Sequence, residues 1–383
     1  MYSTHILHLN NLDNTSETTA KKMSLLFLCI LLLCFAAPTT SSSQEASPLT
    51  ETVAAKGIRR LSAPSPDTLP PFHFIHIPKT AGESFIQDIQ RMTKDATSLG
   101  FKSLDGKTSA TKENMLALEY CFKVLYDPRA TNIVSMRGPR AHVYSQFLEC
   151  KYDEWGKTTT KEFNFPRSTI DELDTNDFKR WLEAFLHLPP NSNLQLKDVG
   201  DFNCYDPRNM MTRYLSDDHI DGKSPDKQTC GHFYRNESLD RMGEFYLQAE
   251  KNLQTLDLVL LQEFYVESIC LLAYKMFREL PQECQCGGGS AEEHAARADK
   301  LKMHHEVHGV PHHSWKDLSA DIHKLVDGYT YYDRKLYLKG VSRFVADINK
   351  VEKAVNASIL CKATVKEFHH THAYTYLSNT GNM

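Results

Sequence analysis

The stretch Ile77-Pro-Lys-Thr-Ala-Gly-Glu-Ser84 concentrates groups that hold anions. Lys79 supplies a point charge, Thr80 and Ser84 supply hydroxyl donors, and Gly82 allows close backbone approach. The segment follows a short apolar run and precedes an amphipathic stretch, so it reads as a turn from a strand into a helix N-terminus. Unpaired N–H groups and the positive end of the helix dipole favour phosphate or sulfate there. The competing reading is an ordinary turn, with Thr80-Ala-Gly-Glu83 as a capping box. A Walker A motif is excluded, because GxxxxGK[ST] needs glycine just before the lysine and Pro78 stands there. The histidines of His304-His-Glu-Val-His308, with His312 and His313, invite a metal reading. His305-Glu-Val-His308 is one residue short of H-E-x-x-H, however, and Gly309 and Pro311 break a helix there. A surface loop is expected, and no metal.

The elements that must position this loop are legible around it. Phe72-His-Phe-Ile-His-Ile77 reads as a strand, and Phe85, Ile86, Ile89 and Met92 recur at helical spacing after it. Asn132–Met136 reads as a second strand, followed by a helix over Arg140–Tyr152 that buries Val143, Phe147 and Cys150. Leu256–Leu261 reads as a third, with a helix from about Tyr265 to Leu280. Leu336, Tyr337, Val341, Phe344, Val345, Ile348 and Val351 mark a long helix near the end. Strands alternating with helices predict an α/β domain with a central parallel sheet flanked by helices.

Composition bounds the rest. The chain has 383 residues and a net charge of −4, which argues against a general nucleic-acid binder and requires any anion to be met by a local basic cluster. Met23–Ala37 is an apolar run, with Ser24 its one polar residue, preceded by Lys21 and Lys22. As a helix it rises about 22 Å, short of a hydrocarbon core of ~30 Å. It reads as a signal anchor or a cleavable signal peptide, with 1–22 as a cytoplasmic tail or n-region. Residues 38–71, rich in Ser, Thr and Pro, read as a flexible stem, 72–360 as the lumenal domain and 361–383 as a C-terminal tail. Eight cysteines lie downstream of the apolar run, and an even number in an oxidising compartment predicts disulfides.

Ile75-His-Ile-Pro-Lys-Thr-Ala-Gly-Glu-Ser-Phe85 resembles the 5′-phosphosulfate-binding loop of Golgi-type carbohydrate sulfotransferases, a family that includes the heparan sulfate 2-O-sulfotransferases. A second family signature, a strand ending in Arg with a Ser eight residues later, is matched by Ile133-Val-Ser-Met-Arg137-Gly-Pro-Arg-Ala-His-Val-Tyr-Ser145. Asn209-Met-Met-Thr-Arg213-Tyr-Leu is similar to an NxxTRxL element, Leu260–Ser268 to the third strand and its helix, and Asp333-Arg-Lys-Leu-Tyr337 to a C-terminal D-x-x-L-Y. The five elements occur in the family's order. The resemblance implies a P-loop-like sulfotransferase fold and PAPS as co-substrate. It assigns donor binding to Lys79, Thr80, Ala81, Gly82, Glu83, Ser84, Arg137 and Ser145, with Arg137 and Ser145 on the donor's 3′-phosphate, and puts Arg213 on the substrate side. It implies a glycan acceptor and a Golgi membrane protein with a lumenal catalytic domain, or a secreted one if the signal is cleaved.

The chain departs from the family at three places. Gly138 stands where Asp is usual, His142 where a second Arg is common, and the His that serves as base in some relatives is absent. That region reads Glu113-Asn-Met-Leu-Ala-Leu-Glu119-Tyr-Cys121. Other branches use a Glu as base, which makes Glu119 the expected base and Glu113 the weaker candidate; a solvated helix face is the competing reading of both. The expected reaction is an in-line displacement at sulfur, with Lys79 stabilising the leaving oxygen. A lumenal P-loop kinase-like enzyme and a non-catalytic glycan-binding relative remain the alternatives.

Overall fold

The computed structural model describes residues 72–93, 100–101, 113–119, 121–159, 173–186, 204–216, 241–278, 280–287, 296–299, 301 and 314–368. In chain order the elements are β1 (Phe72–Ile75), α1 (Gly82–Thr93), β2 (Gly100–Phe101), β3 (Glu113–Leu118), α2 (Phe122–Leu125), β4 (Thr131–Met136), α3 (Pro139–Tyr152), α4 (Glu154–Thr159), α5 (Leu173–Leu186), α6 (Met210–Leu215), α7 (Met242–Thr255), β5 (Leu258–Leu261), α8 (Tyr265–Phe277), α9 (Ala320–Tyr329), α10 (Tyr331–Val355) and α11 (Lys362–Phe368).

The strands form one parallel sheet in the order β2-β3-β1-β4-β5, flanked by helices, so the chain has an α/β fold. Strands β1, β4 and β5 are short and, His73 apart, buried, with Leu258–Leu261 wholly apolar and β4 burying Thr131, Asn132 and Ser135 among its apolar residues. Leu258-Val-Leu-Leu261 is buried throughout, as is all of β4. The order decides where a ligand can sit. From β1 the chain leaves toward β3 and β2, whereas from β4 it leaves toward β5. The two neighbours thus part in opposite directions at their carboxyl ends, which opens the crevice where open α/β sheets bind ligands. Residues 76–81 after β1 and 137–138 after β4 line that crevice.

Three disulfides, Cys150–Cys204, Cys270–Cys284 and Cys286–Cys361, bear out the expectation of bridging. Cys121 is bridged as well, to a partner outside the described residues. Cys361 and α11 belong to the stretch 361–383 expected as a tail. Both are built into the domain, with Phe368 buried and its ring 4.7 Å from that of Phe264.

Several expectations are corrected. Glu113–Leu118 is a strand paired with β1, not a helix face; helix-forming side chains lose there to the hydrogen bonds of a central pairing. Thr80 does not cap α1, because its hydroxyl is spent elsewhere. The expected membrane partner is also corrected: among the described residues no helix is long and apolar enough to cross a membrane. Met23–Ala37, the segment expected to anchor, and the stem 38–71 lie outside the described residues, as do His304–His313.

Candidate functional site

The loop after β1 is held in an unusual backbone path. Lys79 has φ 64° and Ala81 φ 67°, both left-handed without being glycine. Such residues cost roughly 1–3 kcal/mol each and persist where the surroundings dictate them. Left-handed residues next to right-handed ones turn successive N–H groups toward one side, the concavity that binds anions. The bracing is visible. Thr80 Oγ1 donates to the Ile77 carbonyl at 2.7 Å, so the Ser135 hydroxyl, also 2.7 Å away, donates to Thr80. Thr80 is fully buried. It pins the loop to β4 and offers no hydroxyl to a ligand.

Gly82 is required for packing. A Cβ there would overlap the ring of His76, whose Cγ would lie at 2.8 Å. His76 is buried, its Nδ1 lacks a hydrogen-bond partner among the described residues, and Glu119 Oε1 lies 3.7 Å away. Glu119 itself is half-buried and its charge acts on the buried phenols of Tyr205 and Tyr214. Both phenols are pushed well above their ordinary range, first by burial and then by neighbouring carboxylates.

Arg137, at the end of β4, reaches back to the same loop and donates to the Lys79 carbonyl at 3.2 Å. Its Nε is buried with no hydrogen-bond partner among the described residues. Burial pulls the guanidinium below its ordinary value, opposed by Glu263 and Tyr337. Glu263 in turn accepts from the Gly138 backbone N at 2.7 Å and from Tyr337 hydroxyl at 2.7 Å. Glu263, from beyond β5, thus places a carboxylate against the backbone at Gly138.

Helix α3 presents His142, Ser145 and Glu149 at helical spacing, with Gln146 one turn from His142. His142 Nε2 lies 2.7 Å from the Pro78 carbonyl, so it carries the proton and donates. Burial first, then the charges of Arg137, Lys79 and Arg213, hold its pKa down to about 3, against the opposing bond to Pro78. The ring is neutral and braces the loop. Ser145 is buried on the same helix. Glu149 Oε2 sits 3.1 Å from Lys79 Nζ and accepts from Tyr205 hydroxyl at 2.8 Å. Lys79 is thus held by a carboxylate, and an incoming anion competes with Glu149 for it.

The remaining expected residues divide. Glu83 and Ser84 lie in the first turn of α1, Ser84 buried. Arg213 is committed to the backbone, donating to the carbonyls of Arg208 at 2.9 Å and Asp206 at 2.7 Å. The Asn209 and Asp333 elements lock each other. Asp333 accepts from Met211 N, Thr212 N and Thr212 Oγ1, while Asn209 Oδ1 accepts from Tyr332 N and Asp333 N. Each side chain caps the other's helix, and Asn209 takes the left-handed conformation that makes this possible.

Sequence reading missed His76, Ser135, Glu149, Tyr205 and Glu263. Of these, Glu149 was within reach, four residues after Ser145 on one helix. No three-residue cluster of metal-ligating type occurs among the described residues. Neither the protein-family models nor the curated proteins contain a match to this chain.

Proposed function

We propose that the domain transfers a sulfuryl group from PAPS to a hydroxyl of a glycan in the secretory pathway, on a P-loop-like sulfotransferase fold. The observation that carries the reading is the left-handed pair Lys79 and Ala81 at the β1/β4 crevice, beside the half-buried Arg137, whose buried Nε has no hydrogen-bond partner among the described residues. An ammonium and a guanidinium beside the N-terminus of α1 suit a ligand with two anionic groups, and the bisphosphorylated donor is of that kind. The disulfides agree with an oxidising compartment.

PAPS, when bound, supplies the activated sulfuryl group. Lys79 exchanges its ion pair with Glu149 for the donor and offsets charge on the leaving oxygen. Arg137 and Ser145 hold a phosphate, with neutral His142 keeping the loop in register through Pro78. Glu119, 3.7 Å from the buried His76 ring, takes the acceptor's proton. Arg213 supports the site through the backbone of 206–208 instead of touching substrate.

The experiment is incubation of the purified domain with sulfur-labelled PAPS and a panel of oligosaccharides. Label in an oligosaccharide supports the reading. Phosphate transfer from ATP with magnesium, and no label from PAPS, overturns it.

A further inference from the structure

Trp155 combines exposure with a fixed position. Its side chain is 41% exposed, and three features immobilise it. Asp153 Oδ1 accepts from the Trp155 backbone N at 2.8 Å, which sets the start of α4. Gly156 packs so closely on α3 that a Cβ would come within 2.7 Å of Cys150 Cα, so α4 cannot turn on its neighbour. Behind the indole lies Tyr205, with ring centroids 5.3 Å apart. Tyr205 is itself tied down by the adjacent Cys150–Cys204 bridge and by its hydroxyl on Glu149.

The other end of this assembly is the reactive loop. Glu149 Oε2, which takes the Tyr205 hydroxyl, also takes Lys79 Nζ at 3.1 Å. Two side chains therefore separate an exposed indole from the ammonium of the donor site. A half-exposed tryptophan contributes less hydrophobic stabilisation than a buried one, while a rigid aromatic loses little entropy when something packs on it. The face of an indole carries partial negative charge and attracts the weakly positive C–H groups that line one face of a pyranose ring.

We propose that Trp155, backed by Tyr205, is an acceptor subsite that stacks one sugar ring of the glycan beside the transfer centre. The proposal rests on the sulfuryl-transfer reading and names where its acceptor is held. Glu149 and Tyr205 lie between Trp155 and Lys79, so the stacked ring is a neighbour of the ring that reacts. The subsite governs acceptor affinity and leaves donor binding alone.

Two hexasaccharides serve as probes: uncharged N-acetylglucosamine hexamer and unsulfated chondroitin hexamer, titrated against the full domain with tryptophan fluorescence and ligand-observed NMR. At least one is expected to bind, with Trp155→Ala weakening it about tenfold or more and Trp155→Phe keeping part of the affinity. Thermal stabilisation by 3′-phosphoadenosine 5′-phosphate is measured on the same variants and is expected to be unchanged. Undiminished binding by Trp155→Ala, or binding of neither hexasaccharide by the wild type, overturns the subsite. Absence of stabilisation by the nucleotide in the wild type overturns the donor reading instead, so the two failures are separate.

Discussion

Asp333 sets two effects against each other, and its titration tells which wins. The carboxylate is buried beneath the start of α10 and accepts three hydrogen bonds, two from backbone N–H and one from Thr212 hydroxyl. Burial favours the neutral acid and the donors favour the anion. Burial prevails, and the pKa rises from 3.8 to about 6. A folded value above the unfolded one means that the folded state holds its proton longer. The stabilisation is then full below pH 4 and is lost as pH rises through about 6. At roughly 1.4 kcal/mol for each tenfold, the loss between pH 4 and pH 7 is about 3 kcal/mol. Asp333→Asn removes the titration, although its NH2 cannot accept from Met211 N, at a pH-independent cost of about 1–3 kcal/mol. Denaturant unfolding of both proteins from pH 3.5 to 7.5 should show the wild type losing about 3 kcal/mol relative to the variant as pH rises. A gap that widens in favour of the wild type with rising pH would show that the three donors outweigh burial, and the reasoning would be refuted.

Three further outcomes are expected. Arg137→Ala should weaken 3′-phosphoadenosine 5′-phosphate binding more than Ser145→Ala, since charge-assisted bonds are about twice as strong as neutral ones; calorimetric titration showing equal affinity for Arg137→Ala and wild type would remove Arg137 from the site. Gly82→Ala forces the His76 ring aside, which should cost about 1–3 kcal/mol by overpacking and abolish nucleotide stabilisation, both read from melting curves. Glu119→Gln should keep nucleotide affinity and lower turnover by roughly 10²–10⁴-fold, and normal turnover would move the base to another group.

The strands and helices that carry an unmistakable pattern were legible in the sequence. Leu258–Leu261 is apolar on both faces, Ile133, Val134 and Met136 give Thr131–Met136 its apolar part, and α8 and α10 repeat apolar residues at helical spacing. Glu113–Leu118 was not legible, because Glu, Met, Leu and Ala prefer helix and only pairing with β1 makes them a strand. At 77–84 the turn from strand to helix was legible, and Lys79 and Gly82 made it the candidate anion site. Its sequence gave no sign that Thr80 would spend its hydroxyl on Ile77 and Ser135, or that Gly82 answers the ring of His76. Glu149, Tyr205 and Glu263 come from three distant segments, and only the folding of α3 and the Cys150–Cys204 bridge brings the first two together. The Asn209 and Asp333 elements were readable as motifs, but their role as reciprocal caps lies in a contact across more than a hundred residues.

The claim that the loop between β1 and α1 holds a nucleotide phosphosulfate is tested most directly by melting the wild type and Lys79→Ala with 3′-phosphoadenosine 5′-phosphate, and the wild type with ATP and magnesium. At a hundredfold excess over Kd, a ligand of the native state adds about 2.7 kcal/mol. The wild type should therefore melt several degrees higher with the bisphosphate, Lys79→Ala should respond less, and ATP with magnesium should have little effect. A wild type that ignores the bisphosphate but is stabilised by ATP with magnesium would contradict the account.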